Sequence, residues 1–201
     1  DSVCLVLHSF KVRNGPGKPS TIPKDVHIHN NFFLGNYHAI CAIDTDDGSA
    51  YLQIYDNILG YATAGLKSDF GGHNEVYRNN MLAYVGDCIM NGMNEDLYLH
   101  GHSLGYNDGF ANNTCIYLNS YASDCFGPNS APPDVSNRGW EVHDNRVFSL
   151  NGSTTVCAGL GNLSMSLSDW VASGHDTGST TDVWPADADM VAWGKALLGM
   201  N

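Results

Sequence analysis

The chain has 201 residues, 43% hydrophobic and only 15% charged, and its 21 acidic against 9 basic side chains leave a formal charge of −12. That length fits one large domain with a buried core, and the composition excludes a disordered polyelectrolyte or a coiled coil. The acid excess argues against nucleic acid, which needs clustered Lys and Arg, and no apolar run reaches the roughly 18 residues of a membrane span.

The chain opens with Cys4-Leu5-Val6-Leu7, which reads as a strand from a coil already under way. This predicts further coils before Asp1, or another subunit over that face and self-association through it. A phrase then recurs: VHIHNNFF (26–33), LQIYDNIL (52–59), EVYRNNML (75–82), GFANNTCI (109–116) and WEVHDNRV (140–147). Each copy is an alternating strand, then Asn or Asp followed by Asn, then a second short strand. The second Asn falls at Asn31, Asn57, Asn80, Asn113 and Asn145, in steps of 26, 23, 33 and 32 residues. Such a period with one fixed polar position predicts an all-β solenoid, a right-handed parallel β-helix. Asn suits the left-handed backbone of a sharp bend, and stacked amides can bond the coils above and below. The competing reading is a β-sandwich with Asn-rich turns.

The two longer steps predict loops extruded within 91–108 and 119–138; Pro128, Pro132 and Pro133 cannot sit in a central strand. Towards the end, Leu167, Trp170 and Val171 behind Ser166 and Ser168 predict a short capped helix. After Pro185, Met190, Val191, Trp193, Ala196, Leu197 and Leu198 predict a terminal helix. Coils over 1–160 would thus be closed by a segment over 161–201 whose helices cover the last open coil.

Six cysteines (Cys4, Cys41, Cys88, Cys115, Cys125, Cys157) show no metal spacing and allow about 15 pairings, with buried thiols as the alternative. Three sequons begin at Asn112, Asn151 and Asn162, and together with the cysteines they predict a secreted, extracellular glycoprotein with at least one disulfide.

The densest polar cluster is Asp44-Thr45-Asp46-Asp47-Gly48-Ser49, and one coil later come Lys67, Asp69 and His73. Counted from each coil's Asn, Asp44 and Asp69 fall at nearly the same place, so Asp44, Asp46, Lys67, Asp69 and His73 would share one groove. Two carboxylates there could hydrolyse a glycosidic bond. Alternatively they would bind Ca²⁺ while Lys67 takes a proton beside an acidic sugar's carboxylate. Asp-Asp-Gly-Ser also suits a tight turn, with Asp44 capping backbone amides. Asp47, His38 and His73 are the candidate substrate-binding side chains. His100 and His102 form the most metal-like pair but have no third close ligand. Of the many tyrosines, Tyr55 and Tyr77 among them, most belong in the core or on strand surfaces, and a few would lie against sugar rings.

HNNFF (29–33), IDTDDGS (43–49), IYDN (54–57), GLKSDFGGH (65–73) and GHDTGS (174–179) together resemble secreted right-handed parallel β-helix repeat proteins of carbohydrate-active type, in the subfamily that carries Asp-Asp-Gly-Ser. The resemblance spans most of 24–180. It implies carbohydrate as the substrate class, with Asp44, Asp46, Asp47, Lys67 and Asp69 at the family's hot spot. Such relatives include glycoside hydrolases, polysaccharide lyases and members with no established reaction. Two functions follow as expectations: a domain that binds and cleaves an extracellular polysaccharide, or a structural glycoprotein subunit of a filament or matrix.

Overall fold

A computed structural model describes residues 5–8, 24–35, 41–46, 49–68, 74–91, 108–122, 140–158 and 163–200. Strand β1 (Leu5–His8) is followed by a first repeat of β2 (Val26–His29), β3 (Phe32–Leu34) and β4 (Ile43–Asp46). The second repeat has β5 (Leu52–Tyr55), β6 (Ile58–Gly60) and β7 (Ala64–Ser68). In the third and fourth the last two strands are continuous: β8 (Val76–Arg78) with β9 (Met81–Asn91), then β10 (Asp108–Ala111) with β11 (Thr114–Ala122). Next come β12 (Trp140–His143), β13 (Arg146–Ser149), β14 (Thr155–Ala158) and β15 (Leu163–Ser166). The chain closes with α1 (Leu167–Ala172), β16 (Thr180–Val183) and α2 (Asp187–Leu197).

The fold is all-β, and its two large sheets are parallel. One has five strands in the order β12-β10-β8-β5-β2; the other has nine, running β1-β4-β7-β9-β11-β13-β16 with β3 and β6 joining at β9. Every strand in them pairs with its counterpart one repeat away, as a sandwich of antiparallel strands would not. Among the described residues only β14 and β15 are antiparallel. The register stacks equivalent residues: Ile28, Ile54, Tyr77, Phe110 and Val142 form one row, and Phe33, Leu59, Leu82, Cys115 and Val147 another. Both rows belong to the main core.

The two roles expected of the repeat asparagine fall to two neighbouring residues. The left-handed bend is made by the first of each pair: Asn30, Asp56, Asn79, Asn112 and Asp144 all have φ between 52° and 57°. The second Asn turns inward and joins its neighbours. Asn31 Nδ2 donates to Asn57 Oδ1 at 3.0 Å, Asn57 to Asn80 at 3.0 Å, Asn80 to Asn113 at 3.1 Å and Asn113 to Asn145 at 3.3 Å. Each amide oxygen also accepts the backbone N–H of the preceding rung. Below Asn145 the ladder ends on Ser179, which takes the Asn145 N–H at 2.7 Å, and on Asp176.

A disulfide joins Cys88 of β9 to Cys115 of β11 with Cα atoms 6.0 Å apart. Both residues are buried, so the bond ties two repeats together within the core. Closing a loop of 27 residues in the unfolded chain predicts that Cys88→Ala with Cys115→Ala lowers stability by about 2–4 kcal/mol. Urea unfolding with and without reductant checks this, and overlapping curves would contradict it.

The C-terminal helices form where expected, but they cover different surfaces. Helix α1 starts at Ser166, whose hydroxyl accepts the Asp169 N–H at 3.1 Å, and buries Leu167 and Trp170 in the main core. Helix α2 instead lies on the outer face of the nine-stranded sheet. Along each strand there, one side chain enters the core and the next points out, as with Leu59 and Ile58, Leu82 and Met81, Cys115 and Ile116, Val147 and Phe148. That outer face is apolar, so it needs cover, and Met190, Trp193 and Leu197 supply it. Gly194 makes the approach close enough: a Cβ there would stand 3.1 Å from Ile58. Strand β11 occupies the first residues of the loop expected within 119–138, running on to Ala122; the rest of that loop, and most of the one expected within 91–108, fall outside the described residues.

Candidate functional site

Of the predicted site residues the structure brings together Asp44 and Lys67. They lie opposite each other on β4 and β7, with Lys67 Nζ 3.0 Å from Asp44 Oδ1. Both are nearly enclosed, at 5% and 8% exposure. The register thus sets Lys67 beside Asp44, the place that the sequence count gave to Asp69. Asp46 ends β4 opposite His8 of β1, and its side chain lies outside the described ones. His38, Asp47, Asp69, His73, His100, His102 and Asn162 also fall outside the described residues. Asn112 is exposed on its bend. Asn151 is exposed in a turn, where its Oδ1 accepts the Ser153 N–H at 3.0 Å.

A second polar cluster lies inside the fold. The Thr45 hydroxyl sits 2.6 Å from the Lys67 carbonyl, 2.9 Å from Glu75 Oε2 and 2.7 Å from the Tyr77 hydroxyl. The Glu75 N–H donates to Asp108 Oδ1 at 2.9 Å, and among the described residues Asp108 Oδ2 makes no hydrogen bond. Burial, and then the Glu75 charge, push the Asp108 carboxyl well above the usual range, with the Glu75 N–H a smaller opposing effect. Burial and Glu75 likewise push the Tyr77 phenol up. Sequence reasoning missed both acids, although the signal was there. Glu75 and Asp108 stand two places before Tyr77 and Phe110, and side chains two apart share a strand face.

The outward face of the five-stranded sheet is different in kind. One row runs His29, Tyr55, Arg78, Ala111, His143, and the next runs His27, Gln53, Val76, Gly109, Glu141. Strand spacing stacks the planar groups. The His29 and Tyr55 rings are 4.7 Å apart and parallel, and the Arg78 guanidinium lies 4.2 Å from the Tyr55 centroid. His29 and His143 are each held by the next residue, at 2.6 Å from Asn30 Oδ1 and 2.7 Å from Asp144 Oδ2. Ala111 and Gly109 leave a low stretch between Arg78 and the His143–Glu141 end. The result is an open polar strip in which imidazole, phenol and guanidinium groups stack over β2, β5 and β8, with a second imidazole beyond the low stretch.

Among the described residues no group of three or more His, Cys, Asp or Glu side chains is placed to hold a metal ion, and no helix is long and apolar enough to cross a membrane. No family model, curated protein or solved structure matches the chain.

Proposed function

We propose that the chain is a secreted right-handed parallel β-helix whose five-stranded face binds an extended polysaccharide. The observation that carries this reading is the row from His29 through Tyr55 and Arg78 to His143. Over β2, β5 and β8 it offers hydrogen-bonding edges at about the 4.8 Å strand spacing, a suitable comb for the hydroxyls of a linear sugar chain. The flat sheet sets the side chains in place before binding, which lowers the entropy cost. Parallel pairing of every repeat with the next supports the β-helix, since crossovers between parallel strands are overwhelmingly right-handed. The internal disulfide is compatible with an extracellular setting.

In this reading cleavage falls to Asp44 and Lys67 with Asp46 and Asp69. Lys67 would act there as base or charge clamp beside Asp44, 3.0 Å away. The test is a glycan array followed by titration of the retained polysaccharide, and a degradation panel with and without chelator. Arg78→Ala should weaken binding by about tenfold or more, because it removes a planar donor set and uncovers Tyr55. Lys67→Ala should leave binding on this face unchanged. Equal binding by wild type and Arg78→Ala would reject the face.

A structural role is the second reading, and Asn31 favours it. This rung ends the amide ladder, it is exposed, and among the described residues nothing donates to its Oδ1. Such an end can accept another repeat, and ordered polymers without sugar binding in negative-stain microscopy would turn the assignment to it.

A further inference from the structure

Helix α2 covers the outer face of the nine-stranded sheet over β6, β9, β11 and β13, and leaves β3 bare. Beside it runs an apolar trough of about 790 Å³. Phe32 and Leu34 form its floor at 59% and 61% exposure, Tyr61 also lines it, and Val191 of α2 with Leu198 and Met200 just after the helix gives the wall. The trough also continues the packed contact between α2 and the sheet, sharing Ile58, Met81, Met190 and Leu198 with it.

The charges along the trough select the occupant. Asp187 lies on the first turn of α2 and Lys195 on the last, and both line the trough with Val191 midway between them. These three residues are spaced four apart and so share one side of the helix. A helix laid antiparallel to α2 must offer a cation opposite Asp187, an anion opposite Lys195 and an apolar group between. Helix α2 itself has that pattern. A two-fold axis through Val191 would set Asp187 against Lys195 of the partner subunit, and the reverse, as an isologous contact requires. Antiparallel helix dipoles add to the match.

We propose that the chain pairs with a second copy of itself through this trough, the two α2 helices lying antiparallel. Val191 is 59% exposed in the single chain, so Val191→Asp leaves the fold intact and reads the interface alone. Sedimentation equilibrium of the intact chain should show a dimer at micromolar concentration. Val191→Asp should raise the dissociation constant by about tenfold or more. Lys195→Asp should weaken the dimer, and adding Asp187→Lys to it should restore the dimer, since the swap re-forms both charge pairs. A chain that stays monomeric, a dimer indifferent to Val191→Asp, or open-ended polymers would overturn the proposal. Uptake of dodecanoate by a monomer would assign the trough to a lipid instead. Sugar binding on the opposite sheet is measured separately, so the two readings fail independently.

Discussion

Asn80→Ala is expected to lower the unfolding free energy by about 3–5 kcal/mol, while Asn31→Ala costs less than about 1 kcal/mol. The Asn80 amide donates to the Ile54 carbonyl at 2.9 Å and to Asn113 Oδ1 at 3.1 Å. Its oxygen accepts both the backbone N–H and the side-chain amide of Asn57, at 3.1 and 3.0 Å. Asn80 and Asn57 are buried, so no water replaces the lost partners. Alanine therefore strands the Asn57 backbone N–H and takes one partner each from the Ile54 carbonyl, the Asn57 amide and the Asn113 oxygen, across three repeats. Asn31 makes the same kind of bonds at an exposed rung, where solvent substitutes. Asn80→Asp should be no milder, because a carboxylate cannot donate to Ile54 or Asn113 and brings a buried charge. Urea unfolding of the three variants decides the matter. Similar losses at Asn31 and Asn80 would mean that the amides are not bonded as a ladder.

The second large effect is a pH dependence carried by Asp108. Burial beside Glu75 raises the carboxyl in the folded state, so the folded chain keeps a proton that the unfolded chain releases. Below the ordinary Asp range both states are protonated and the group contributes its full stability. As pH rises, the unfolded state sheds its proton first, and unfolding free energy falls by up to about 1.4 kcal/mol per pH unit until pH passes the folded value. Asp108→Asn should remove this slope and raise stability at neutral pH, since it deletes the buried ionisation while its side-chain oxygen can still accept the Glu75 N–H. Asp176, raised chiefly by burial and partly offset by Ser179, Tyr121 and Asn145, leaves a smaller slope of the same sign. Unfolding free energies of wild type and Asp108→Asn across the acid and neutral range test this, with the difference between the two curves isolating the group. Parallel curves would show that Asp108 is ionised in the fold.

Much of the repeat was legible because one residue type recurs wherever the backbone imposes one task. The Asn pairs mark the bend between the first two strands of each repeat, from Asn30 to Asp144, while other left-handed positions fall to Tyr51, Tyr61 and Tyr84. The last rung was not legible: Gly178 supplies the bend with φ of 79° and Ser179 the acceptor, in residues unlike the Asn repeat. A hydroxyl can end a ladder that only an amide can continue, because the final position needs an acceptor but no onward donor to a further rung.

Composition and spacing by themselves determined the all-β class, the strand–bend–strand repeat, the inward amides and the position of both helices, since each follows from periodicity and local backbone preference. Three matters only the tertiary structure decided. Register across repeats paired Asp44 with Lys67, because a count along the chain does not fix where each strand starts against its neighbour. The apolar outer face over Ile58, Met81, Ile116 and Phe148 emerged only when the strands lay side by side. It drew α2 against the flank of the sheet rather than over its end. Glu75 and Asp108 became a buried pair because adjacent strands brought two separately unremarked acids into one interior. Local sequence carries the geometry of a turn or a strand, whereas burial and charge pairing depend on neighbours a whole repeat away.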